Sequence, residues 1–157
     1  MSGFSGCPGS RTIEFKKEEA QGGTAAKVPS QLRQWPIQLH LVSPEAPYFQ
    51  GTDVVLAADC VPFAMANFHN DFLKGKSLAI ACPKLDGGQE VYIEKIRALY
   101  EKSRINTLTV LIMQVPCCRG LLATAVQALQ GSSRKVPIRY VVVSLQGEVL
   151  QEEWVET

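Results

Sequence analysis

The sequence predicts a single three-layer α/β domain, a mostly parallel sheet of about five strands with helices on both faces. Three observations predict it. Short apolar runs rich in Val, Ile and Leu recur at residues 37–42, 54–58, 77–81, 107–113 and 138–145. All but the first lack polar alternation, and near-continuous apolarity marks strands covered on both faces. Segments of helical period fall between the runs, and strand–helix alternation builds a parallel sheet through right-handed crossovers.

Taken in order, residues 37–42 carry Gln38 and His40 on one face, which predicts an edge strand. The link at residues 43–51 has room for one helical turn. Residues 62–74 set Phe63, Ala66, Phe68, Phe72 and Leu73 near helical spacing, with Pro62 in the first turn and Gly75 as the stop. Residues 89–102 place Val91, Ile93, Ile96, Leu99 and Tyr100 on one stripe with charges elsewhere. Residues 118–130 carry Leu121, Leu122, Ala125, Val126 and Leu129 and end at Gly131. Ahead of the domain, residues 16–27 are charged, then rich in Gly and Ala with no apolar period, and read as a linker. The chain therefore divides into an arm and linker over residues 1–34, which carry Cys7, and an α/β domain over residues 35–157, with residues 29–36, Trp35 among them, packing on its edge.

Composition excludes several function classes. The 157 residues hold 16 basic and 15 acidic side chains, a formal charge of +1, so no long-range field draws the chain to nucleic acid or anionic lipid. No apolar run approaches the ~20 residues that span a bilayer. Residues 1–7 show neither a basic nor an apolar signal region, which predicts a cytoplasmic protein. Gly87-Gly88 lacks both the P-loop lysine and the dinucleotide glycine spacing, so the architecture is Rossmann-like without a nucleotide fingerprint. No Ser/His/Asp set with a nucleophile elbow is present. Five cysteines remain, an odd number that does not suit a small secreted disulfide scaffold.

Four of them fall in one kind of place. Cys60 follows the second run, Cys82 the third, and Cys117 and Cys118 the fourth, each where a helix or loop begins. In a parallel sheet those carboxyl ends share one edge, where open α/β folds bind ligands. Helix starts, with Lys84 and Arg119 nearby, are expected to lower the thiol pKa values. Converging thiolates suit a tetrahedral zinc or an iron–sulfur cluster. Structural zinc usually takes close C-x₂-C pairs, and none occurs, whereas single cysteines from separate strand ends make the wider cage of a cluster. Cys7 offers a fifth sulfur on an arm able to fold over the site. Asp59 is expected to orient its loop by accepting backbone N–H bonds. His69 reads as a helix-surface or capping residue, with metal ligation or proton relay as the alternative. Lys84 and Asp86 read equally as substrate contacts or as part of a solvated loop.

Several words of the chain are familiar: Gly6-Cys7-Pro8-Gly9-Ser10-Arg11, Ala57-Ala58-Asp59-Cys60-Val61-Pro62-Phe63-Ala64, Cys82-Pro83-Lys84-Leu85-Asp86 and Val115-Pro116-Cys117-Cys118. Through them the sequence resembles small bacterial and archaeal iron–sulfur cluster-binding proteins of the 4Fe-4S ferredoxin type, many from anaerobes. The resemblance implies a 4Fe-4S cluster on Cys60, Cys82, Cys117 and Cys118, with Cys7 as a further candidate, and a redox role with a redox partner protein. Asp59, Lys84, Arg119 and His69 stand around that set. Relatives read Cys-Cys-Gly-Gly where this chain has Cys117-Cys118-Arg119-Gly120, so Arg119 alters the charge or access there. The separate ferredoxin segment of some relatives is absent. The alternatives are a cluster-dependent enzyme with an open iron for sulfur handling or Lewis-acid chemistry, and a zinc-binding interaction domain.

Overall fold

The structure, a computed structural model, describes residues 13–15 and 27–156. Its sheet has the order β2-β1-β3-β4-β5. Strands β1 (Asp53–Ala58), β2 (Ser77–Ala81), β3 (Thr107–Met113) and β4 (Ile138–Val143) run parallel. Strand β5 (Val149–Trp154) returns antiparallel to β4. Five of the six β1 residues and six of the seven in β3 are buried, as strands covered on both faces require. Right-handed crossovers put the β1–β2 connection on one face of the sheet. They put helices α2 (Gln89–Glu101) and α3 (Arg119–Gln130) together on the other. Those two helices are joined by the Tyr100 hydroxyl, which donates to the Ala125 carbonyl at 2.9 Å.

Three expectations are corrected. Residues 37–42 form no strand. They make one bridge, with the Leu39 N–H on the Ile80 carbonyl and the Ile80 N–H on the Ile37 carbonyl, and then turn back. The turn is held by Lys95 of α2, whose ammonium donates to the carbonyls of Leu39, His40 and Val42 at 2.8–3.0 Å. The fifth strand is β5 instead. All six of its residues are exposed, so it carries no burial pattern for a sequence to display.

The third correction concerns residues 62–74, which break into α1 (Val61–Ala64) and one π turn, His69–Leu73. Met65 is extended between them, and Asn67 bonds to Asp71 at 2.8 Å in place of a continuing helix. Phe63 points to solvent at 92% exposure, while Met65, Phe68, Phe72 and Leu73 fill the core. On α2 the buried stripe likewise begins at Tyr92 rather than Val91.

The β2 edge is closed by a side chain. Gln34 donates to the Leu78 carbonyl and accepts from the Leu78 N–H, both at 2.8 Å, so one carboxamide replaces a neighbouring strand. The expected packing of residues 29–36 on the domain edge is thus met by Gln34, while Trp35 itself is 75% exposed. Next to this edge Asp86 forms a clasp. Its carboxylate accepts from the Cys82 N–H and from Gln38, each at 2.9 Å, and from the Tyr92 hydroxyl. Burial pushes the Asp86 carboxyl up. The bonds from Tyr92, Cys82 and Gln38, with the charge of His40, outweigh that and hold it below the ordinary carboxylate range.

Two outcomes follow from these contacts. Gly147 has φ +88°, and a Cβ there would stand 2.2 Å from the Ala64 carbonyl oxygen. Gly147→Ala is expected to lower stability by about 2–4 kcal/mol in a denaturant melt. Gly87→Ala, which meets nothing within 4 Å, is expected to leave the melt nearly unchanged. Because the Asp86 pKa is depressed on folding, its stabilisation is complete above the ordinary carboxylate pKa and fades as pH falls through the folded value. The gap between wild type and Asp86→Asn is expected to be about 1 kcal/mol at neutral pH, discounted for solvent access, and to close in acid. A gap that stays constant down to acid pH assigns the clasp to something other than the carboxylate.

Candidate metal centre

Strand order decides where a ligand belongs. The chain leaves β1 for β2 on one side, then passes back over β1 to reach β3 on the other. That reversal opens a crevice outside the carboxyl ends of β1 and β3, where open α/β sheets bind ligands. Cys60 caps the start of α1 just past β1, and Cys82 directly follows β2. Cys117 and Cys118 end the 3₁₀ turn Pro116–Cys118, from which α3 starts.

Backbone contacts draw these ends together. The Asp59 N–H donates to the Ala81 carbonyl at 3.1 Å and ties the end of β1 to that of β2. A Cβ added at Gly120 would lie 3.3 Å from Pro83 Cβ. The loop after β2 therefore passes over β1 and rests on the first turn of α3, and the missing side chain of Gly120 is what admits it. Asp86 fixes the shape of that loop: its carboxylate takes the Cys82 N–H while its own N–H bonds the Cys82 carbonyl at 2.8 Å. This clasp is the feature that sequence reasoning missed. Its signal was an Asp four residues after Cys82 in a Pro-containing loop, a frequent turn-closing arrangement.

The four thiols are near enough to feel one another's charge. Cys60 is the hub. Partial loss of solvent around its sulfur raises its pKa, and the negative charges of Asp59, Cys82 and Cys117 raise it further. Cys118 is pushed up to about 11, by burial first and then by Cys117 and Cys60, against a backbone hydrogen bond from Met113. The expected lowering by helix starts and by Lys84 and Arg119 does not hold at these two thiols. Helix α1 has only four residues, too few for a strong dipole, and burial with crowded negative charge dominates. Cys60 is exposed, Cys82 and Cys117 half-buried, and Cys118 buried.

The remaining candidates sort by place. Asp59 Oδ1 is buried with no hydrogen-bond partner among the described residues, so the expected role as acceptor of loop N–H bonds is not seen at that oxygen. Burial, then the charge of Asp86, raises the Asp59 carboxyl. Lys84 is exposed on the Cys82 loop. Arg119 is exposed and lines a trough that also holds Tyr140, leading away from the thiols. His69 belongs to another contact, its Nδ1 accepting from the Gln31 N–H at 3.0 Å. His40 stacks on Tyr92, with ring centroids 4.2 Å apart, and bonds the Gly87 carbonyl. Cys7 lies outside the described residues.

This donor set fits a positively charged guest. Thiols that raise one another's pKa become stable thiolates when a cation supplies compensating charge, releasing their protons as it binds. Among the described residues, no three His, Cys, Asp or Glu side chains close around a single metal-ion position. Among the same residues, no helix is long and apolar enough to cross a membrane.

Comparison with known proteins agrees with the architecture. An uncharacterized protein of Archaeoglobus fulgidus is 29% identical over 119 residues, which cover 76% of this chain and 83% of that protein. No solved structure matches the chain at a significant level. Residues 46–156, from the turn before β1 to the end of β5 and just beyond, match the family described as Rossmann-like domain. The chain belongs to that family.

Proposed function

We propose that this protein holds one iron–sulfur cluster on Cys60, Cys82, Cys117 and Cys118 and uses it for electron transfer or redox sensing in the cytoplasm. The observation that carries this reading is the placement of four thiols just past three neighbouring strand ends, beside the crevice where the strand order reverses. Single cysteines from separate strand ends, with no close C-x₂-C pair, are better matched to a cluster several ångströms across than to one zinc. Four cysteine ligands, with the resemblance of the cysteine motifs, favour the 4Fe-4S form.

When bound, the cluster supplies reversible uptake of single electrons. The chain's own residues hold and present it. Asp86 keeps the Cys82 loop in one shape, and Pro83 on Gly120 sets the spacing between the second and third strand ends. Exposure of Cys60 leaves one side of the site open to a redox partner protein. Phe63 and Leu85, 92% and 82% exposed and each three residues from a thiol, give that partner an apolar rim to dock on. Cys7, outside the described residues, is the candidate fifth sulfur.

The test is anaerobic reconstitution with iron and sulfide. A brown protein with about four iron and four acid-labile sulfide atoms per chain is expected. Cys60→Ser, Cys82→Ser, Cys117→Ser and Cys118→Ser are each expected to lose most of the iron. A colourless preparation with no iron or sulfide sinks the reading. Full iron in Cys7→Ser reduces the arm to a bystander.

A further inference from the structure

A second site lies on the α3 face of the sheet, between that helix and the β4–β5 hairpin. There a trough of about 490 Å³ is walled by Leu122 and Val126 of α3 and by Tyr140 and Val142 of the hairpin. A smaller cavity of about 300 Å³ shares Val126, Val155 and Glu156 with it and extends the same trough toward Lys135. The volume falls within the ~300–1,000 Å³ of small-molecule sites, which pair apolar walls with a few placed polar groups.

Those polar groups are of both signs and are held apart. Arg119 and Glu153 line the same trough, yet neither forms an ion pair among the described residues. The Tyr140 hydroxyl fixes Glu153 by donating to its Oε2 at 2.7 Å, and accepts from Gln151 Nε2 at 2.9 Å. Glu153 Oε1 has no hydrogen-bond partner among the described residues. Glu156 adds a second carboxylate on the same side.

We infer that this trough binds a small amphoteric molecule, with a carboxylate on Arg119, an amine on Glu153 and Glu156, and an apolar body against Leu122, Val126 and Val142. A charge pair left open across an apolar floor is satisfied by a ligand that bridges it, since each end then gains a charge-assisted hydrogen bond. The inference does not depend on what the thiols hold.

Three probes of one shape separate the contributions: phenylalanine carries both charges, 3-phenylpropionate only the carboxylate, and 2-phenylethylamine only the amine. Titration is followed through the Leu122, Val126 and Val142 methyl signals in NMR. Saturable shifts with phenylalanine are expected, with each single-charge probe weaker. Arg119→Gln and Glu153→Gln are each expected to weaken phenylalanine about tenfold while leaving the remaining spectrum in place. No saturable shift with any probe at millimolar concentration overturns the inference. So does 3-phenylpropionate binding as tightly as phenylalanine, or phenylalanine binding unchanged by Arg119→Gln. Because these readouts do not involve iron, their failure is distinct from failure of the cluster reading.

Discussion

With β1 between β2 and β3, the chain must pass over the end of β1 on its way from one neighbour to the other. That constraint governs the rest. Parallel strands put all their carboxyl ends on one edge, and the crossing gathers the loops of three strands above the middle one. The loop after β2 meets the start of α3 at Pro83 and Gly120, with Cys60 at the end of the strand it crosses. A different strand order would leave the same cysteines at the same edge but spread along it.

What the crossing brings together, electrostatics keeps protonated. Burial and neighbouring negative charge raise Cys60 and Cys118, and Asp59 is raised beside them. The surrounding frame is rigid for separate reasons. Asp86 binds the Cys82 loop, Gln38 and Tyr92 together, and Lys95 gathers three carbonyls of the preceding turn. The thiols therefore stand on a scaffold held by its own hydrogen bonds, in surroundings that favour their protonated form until a cation compensates the thiolate charge.

Sequence made the interior legible and the margins less so. Strands β1 to β4 and helices α2 and α3 announce themselves because each is packed on a face that demands apolar residues, and the four strand-end cysteines follow from them. Residues 37–42 looked like a strand because Ile37, Leu39 and Leu41 alternate with polar groups. Yet Leu41 is 69% exposed, and the segment spends its carbonyls on Lys95 instead of on a ladder. Strand β5 was silent because pairing with β4 buries none of its side chains. The break after Ala64 rests on Met65 and Asn67, whose local bonding no periodicity encodes. Asp86 lay in plain view four residues after Cys82, but its partners Gln38 and Tyr92 come from elements that only the fold brings near.

The measurement that bears most directly on a shared site is X-ray absorption at the iron edge, on protein loaded anaerobically with iron and sulfide. A cluster held by the strand-end thiols gives iron surrounded by sulfur, with a second shell of iron neighbours that disappears in Cys60→Ser, the hub variant. Iron bound singly to oxygen and nitrogen, with no iron neighbour, would contradict the account. So would an iron–iron shell indifferent to the loss of Cys60.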